Sequence, residues 1–246
     1  MTVPVSDAPL SDAQRRVYAD VLSQAVTGEL IGMANYAAMA ELCPSVEELE
    51  DAVEHAYNEH THAVAFRRAA QDLGVEVIED INAPYWRRIR EAFLGHVHAG
   101  DLSACMIIQE LMLETFAVSM YEAVADVSGG KLSRAFRAIG AEEEGHLEHA
   151  LQELAPEYQR DREGFERKVQ ALHEQVMTIL AEMVSALDPA GHCGLCHGEC
   201  VKGSLHEIGL SAPILRGKAL NYYLRVLDRL GIPGEKSLAW VANLPA

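Results

Sequence analysis

The chain has 246 residues, 49% of them hydrophobic, and a formal net charge of −17 at pH 7. That charge disfavours nucleic acid and anionic membrane surfaces as partners. The length suffices for a substantial buried core, and because strand-like alternation is scarce the composition predicts an all-α protein. The N-terminal residues lack a basic and then apolar leader, and no run approaches a membrane span. A cytoplasmic protein that crosses no membrane is therefore expected. Five cysteines, three of them close together, suggest a reduced chain with a local metal motif rather than a disulfide framework.

In chain order, Ser11 with Gln14 has the pattern of a capping box, opening a helix to about Leu42 that carries Glu29 near its middle. Pro44 stops it, and Ser45 with Glu48 opens a second helix by the same logic, ending near Gly74. A connecting segment includes a helix from about Pro84 to Ala99. A strongly apolar helix over about 101–127 carries Glu114, and the next helix is expected to end near Leu154, ahead of Pro156. A further helix is expected over about 157–187, then a Cys/His-rich loop, then two short helices separated by Gly231-Ile232-Pro233-Gly234. This gives three parts: a helical bundle over 1–187, a metal-binding loop over 188–210, and C-terminal helices over 211–246 packed on the bundle.

The chemistry lies in a pattern that occurs twice. Glu29 on one helix is followed on the next by Glu59 and His62, and Glu114 is followed on the next by Glu143 and His146. Residues three apart share a helix face about 4.5 Å apart along the axis, so each Glu-x-x-His pair can reach one interior. A carboxylate set among apolar residues is costly unless it has a partner. Two lone carboxylates with two Glu-x-x-His pairs form the donor set of a carboxylate-bridged di-metal site in a four-helix bundle. Two divalent ions would neutralise its four negative charges, and His with carboxylate suits iron or manganese.

Other positions are less sharply determined. Glu110 lies one turn before Glu114 and is a candidate catalytic residue, as an extra ligand or proton relay, unless it reaches solvent. His60 is expected to point outward or to stand behind the ligands rather than to be one of them, and Glu142, Glu144 and Glu148 to form a solvated face. Tyr36, Phe66, Phe116, Met120 and Tyr121 are candidate pocket walls, a role that ordinary core packing would explain equally well. Cys193, Cys196 and Cys200, with His192, His197 and His206 nearby, predict a second metal site holding zinc or an iron–sulfur cluster. Cys43 and Cys105 are expected to be core thiols.

The segments GELIGMANY, NEHTHAVAF, IIQELMLETFAVSMY and EEEGHLEH resemble those of ferritin-like non-haem di-iron proteins, and among them the aldehyde-deformylating oxygenases. The resemblance implies a ferritin-like four-helix bundle with additional flanking helices. It also implies two iron ions held by Glu29, Glu59, His62, Glu114, Glu143 and His146, with Glu59 and Glu143 facing both. O2 would be the co-substrate, an external electron donor such as a ferredoxin or reductase a partner, and the oligomer a monomer or homodimer. The Cys cluster and Glu110, where that family carries a small apolar residue, are departures. On their account the expected activity is N-oxygenation of an amine, hydroxylamine or hydrazine in specialised metabolism. Aldehyde deformylation to alkane and formate is the alternative, and iron storage is the alternative of another class.

Overall fold

A computed structural model describes residues 10–184, 194–198 and 200–245. Eight helices account for most of them: α1 (Asp12–Met39), α2 (Val46–Leu73), α3 (Pro84–His98), α4 (Leu102–Val127), α5 (Gly130–Arg160), α6 (residues 162–184), α7 (Ala212–Leu230) and α8 (Gly234–Ala242). Capping boxes form at Ser11 with Gln14 and at Ser45 with Glu48, each satisfying two otherwise unpaired backbone donors. Gly74 closes α2 with φ +64°, a left-handed conformation that a side chain would strain. The bundle pairs α1 with α2 and α4 with α5, while α7 lies against α4 and α3 bridges α1 to α4 and α6.

Helix α4 corrects one expectation. Its 26 residues have a mean hydropathy of 1.4 in their most apolar window, enough by length and composition to cross a membrane, yet 78% of that window is buried in the bundle. It is the central helix of the core. Two further differences concern ends of elements. Helix α5 continues through Pro156 to Arg160. The carbonyl that Pro156 leaves without a donor belongs to exposed Gln152, while Leu154 and Tyr158 anchor the extension in the core, and the Tyr158 hydroxyl donates to Gly231 O at 2.6 Å. The next helix starts later than expected because Asp161 caps it, accepting from Gly164 N at 2.9 Å.

Two helices contain wide turns. Ile107–Leu113 within α4 and His173–Met177 within α6 are π-helical. In α4 the Glu114 N–H donates to the Gln109 carbonyl, five residues back. A π segment inside an α-helix shifts the facing of the residues that follow it, and such segments gather at functional sites.

The buried apolar side chains form two clusters. One holds the Ile31–Met39 side of α1, Met106–Leu113 of α4 and Leu147–Leu154 of α5. The other holds Val17–Val26 of α1, Ala63–Ala70 of α2, Tyr121–Ala125 of α4 and Leu132–Ile139 of α5. Glu29, Glu114, Glu143 and His146 fall between these stretches on α1, α4 and α5, and Glu59 and His62 fall on α2 between Ala63 and partly buried Ala56, which packs on the first cluster. They form a polar layer across the bundle, with apolar packing above and below.

Candidate metal centre

All six expected donor residues are buried, none more than 3% exposed. Their donor atoms gather in two groups that share Glu59 and Glu143: one with Glu29 and His62, the other with Glu114 and His146. Within each group the atoms lie within 4.8 Å of one another, as required of two ions with two bridging carboxylates. His62 Nδ1 lies 3.1 Å from Glu29 Oε2 and 2.9 Å from Glu143 Oε1. His146 Nδ1 lies 2.9 Å from Glu143 Oε2 and 3.5 Å from Glu59 Oε1.

These atoms are close but poorly paired. Glu59 Oε1, both oxygens of Glu143 and both ring nitrogens of His146 are buried without a hydrogen-bond partner. The His146–Glu143 approach is near enough for an ion pair but is not aligned as a hydrogen bond. Buried polar atoms are nearly always partnered, so lone pairs converging without partners fit a cation that would satisfy them together. The donor set therefore fits two iron ions.

Charge coupling points the same way. Burial raises the Glu59 and Glu143 carboxyls above the usual range, and the neighbouring carboxylates raise them further. Burial pulls His62 down, but the close carboxylates of Glu143 and Glu29 outweigh it and hold it up at about 11. His146 is held at about 10 by Glu114 and Glu143 in the same way, against burial. The two imidazolium charges offset part of the carboxylate charge that bound cations would offset fully.

A further ring of residues orients the donors. The Tyr121 hydroxyl donates to Glu29 Oε1, and burial next to Glu29 keeps the phenol protonated. Gln109 Nε2 donates to Glu114 Oε1 at 2.8 Å, Asn35 Nδ2 donates to Gln109 Oε1 at 2.7 Å, and Arg90 donates to Asn35 Oδ1. His62 directs its other nitrogen, Nε2, to Glu142 Oε2 at 2.9 Å. An outer carboxylate on the second nitrogen of an imidazole fixes the ring's orientation. Glu142 thus does more than solvate a face. Gln109, Asn35 and Arg90 have no periodic signature; the π turn that sets Gln109 against Glu114 is a tertiary feature.

The other candidates divide. His60 is exposed, as expected. Glu110 is fully buried, which removes the solvent-reaching alternative; its Oε2 lies 2.9 Å from His149 Nδ1, and it groups with His55 and His149 rather than with the six. Tyr36 donates to Glu114 Oε1 at 3.4 Å and Phe66 packs on Tyr121 and Phe136, so both are core residues. Phe116, Met120 and Tyr121 do line a cavity. It is largely apolar, runs between α1, α4 and α7, and ends at Glu29, Glu59 and Glu114.

The expected second metal site is not supported. Cys193 and His192 lie outside the described residues. Cys196 packs half-buried against both apolar clusters, and Cys200 lines the cavity. Among the described residues, no group of three or more donors includes either cysteine. His197 is engaged elsewhere, with its backbone N–H donating to Asp20 Oδ1 at 2.9 Å and its Nδ1 2.8 Å from the same oxygen. His206 Nδ1 meets Gly203 O at 3.1 Å.

The model of the long-chain fatty aldehyde decarbonylase family matches residues 11–191. A solved structure, protein 19 with aldehyde deformylating oxidase activity from Synechococcus, superposes with a TM-score of 0.79 at 19% identity. That match covers 94% of this chain and 97% of that one. At this identity the likeness speaks for the fold, and it supports the ferritin-like bundle. The family match overturns the expectation of N-oxygenation: the inference from the Cys cluster and Glu110 to a nitrogen substrate does not hold, and aldehyde deformylation is the better-supported reading.

Proposed function

Since the chain belongs to the long-chain fatty aldehyde decarbonylase family, whose members are oxygenases, we propose that it is an aldehyde-deformylating oxygenase that converts an aldehyde with an apolar chain to the alkane one carbon shorter and formate. The observation that carries this reading is the apolar cavity ending on three of the six donors. Leu113, Phe116, Met120, Val124 and Leu215 would surround the hydrocarbon chain, leaving the carbonyl at the polar end.

Glu29, Glu59, His62, Glu114, Glu143 and His146 would hold the two irons, with Glu59 and Glu143 shared between them. When bound, the irons supply the binding and reduction of O2. The chain itself sets the conditions. Tyr121 fixes Glu29 and keeps a proton beside it; Gln109, backed by Asn35 and Arg90, fixes Glu114; the apolar walls keep bulk water from the reacting end. Balancing RCHO and O2 against RH, HCOOH and H2O requires four electrons and four protons, so an external electron donor is part of the proposal.

The test is turnover. Protein reconstituted with Fe(II) without oxygen would receive straight-chain aldehydes, O2 and a chemical or protein reductant. Equal amounts of alkane and formate, with chain length preferred according to the cavity, support the proposal. A product set lacking both, from protein shown to hold its iron, overturns it.

A further inference from the structure

A second group of donors lies beside the di-metal layer. His55, Glu110 and His149 each bring one ligand atom within 4.8 Å of the other two. Each stands one helical turn from a donor of the main site: His55 before Glu59 on α2, Glu110 before Glu114 on α4, His149 after His146 on α5. Because α5 runs opposite to α4, all three displacements point towards the same end of the bundle. The group therefore repeats the donor layer about 5–6 Å along the axis. On α1, Tyr36 turns its ring edge-on to His55 with centroids 5.0 Å apart, so the fourth helix closes the group with an aromatic wall instead of a ligand.

Packing and hydrogen bonding set this group apart from a satisfied polar cluster. Glu110 is fully buried, yet its Oε1 has no hydrogen-bond partner, and neither does His55 Nδ1. A buried carboxylate oxygen without a partner is costly, and it lies in a group with two imidazoles. His149 is the edge towards solvent: its side chain is 27% exposed, its Nδ1 meets Glu110 Oε2 at 2.9 Å, and its Nε2 lies 4.0 Å from half-exposed Asp51. At 4.0 Å Asp51 makes no hydrogen bond to the ring, but it sets a carboxylate at the solvent edge of the group, an acidic entry point for a cation.

We propose that His55, Glu110 and His149 form a third metal site, for a divalent transition-metal ion such as Mn(II) or Fe(II), next to the di-metal centre. Two imidazoles and one carboxylate with open positions suit these ions. The site uses none of the six donors assigned to the di-metal centre, so it stands or falls separately from the proposed function.

The test is an equilibrium titration of chelator-stripped protein with Mn(II), reading free ion by its EPR signal, with helix content checked for each variant. Native protein is expected to take up about three ions per chain and the His149→Gln and Glu110→Gln variants about two. His149 is partly exposed, so its variant is expected to fold even if the buried Glu110 change is not tolerated. A double variant Glu59→Ala with Glu143→Ala is expected to keep one ion, lost when His149→Gln is added. Retention of that ion supports the third site even if the di-metal assignment fails. Equal uptake by native protein and the His149→Gln variant overturns the proposal, leaving the group as a hydrogen-bonded pair beside a free imidazole.

Discussion

Gly32 lies directly against the carboxylate of Glu59: a Cβ built on Gly32 would stand 2.4 Å from Glu59 Oε2 and 3.2 Å from Gln109 Nε2. Helix α1 thus reserves the space in which a shared carboxylate sits. Gly32→Ala is expected to keep the helix, since alanine is the better helix former, and to push Glu59 out of place. Metal affinity at both positions is expected to fall by about 10–100-fold. Calorimetric titration with Mn(II) checks this, and unchanged affinity would show that Glu59 has room elsewhere.

Gln109 links Glu114 to Asn35 and Arg90 across the π turn. Gln109→Leu removes a donor to a carboxylate and leaves Asn35 Nδ2 without its acceptor, at a cost of about 1–3 kcal/mol in stability. Metal affinity is expected to fall by about tenfold or more. Denaturant unfolding and metal titration on the same variant separate the two effects; a loss of stability with native affinity would make the chain of hydrogen bonds structural only.

The protonation of the centre makes stability and metal binding respond to pH in opposite directions. His62 and His146 have folded values of about 11 and about 10 against an ordinary 6.5. Raised values favour the protonated forms, so their contribution is complete below about 6.5 and is lost as pH rises towards 10–11. The raised Glu59 and Glu143 carboxyls add a loss of the same sign starting from their ordinary value of 4.5. Chelator-stripped protein should therefore lose thermal stability as pH rises from 5 to 9. Metal binding displaces those protons, so the rise in Tm on adding Mn(II) should grow over the same interval. Calorimetric scans with and without Mn(II) check both slopes, and a metal-induced rise independent of pH would count against these groups as ligands.

The cavity wall is expected to set substrate length. Gly28 faces Trp86, its built Cβ 3.3 Å from the indole, and Ala117 lines the same space. Ala117→Phe fills part of the cavity, and each methylene excluded from apolar surroundings costs about 0.8 kcal/mol. The preferred aldehyde is expected to shorten, with KM for long chains rising more than kcat falls. Competition between aldehydes of different length reads this directly, and an unchanged preference would place the hydrocarbon chain elsewhere.

The architecture and the inward facing of the six carboxylate and imidazole side chains are readable in sequence because they rest on local rules. Capping boxes at Ser11 and Ser45, and an i, i+3 pair of Glu and His on one helix face, follow from helical geometry alone. Carboxylates in apolar runs signal buried partners wherever those runs pack. Long-range packing decided the rest. Pro156 stays helical because its unpaired carbonyl lies on an exposed face while Tyr158 is held by Gly231. Glu142 became a partner of His62, and Gln109 of Glu114, only once separate helices and a π turn met. Periodicity could set His55, Glu110 and His149 each one turn from a donor, but not in contact, since their meeting depends on the relative height of three helices. The Cys-rich segment shows the same limit from the other side. Its spacing suggested a metal, while His197 is bound to Asp20 on α1, a contact between residues far apart in the chain that spacing carries no trace of.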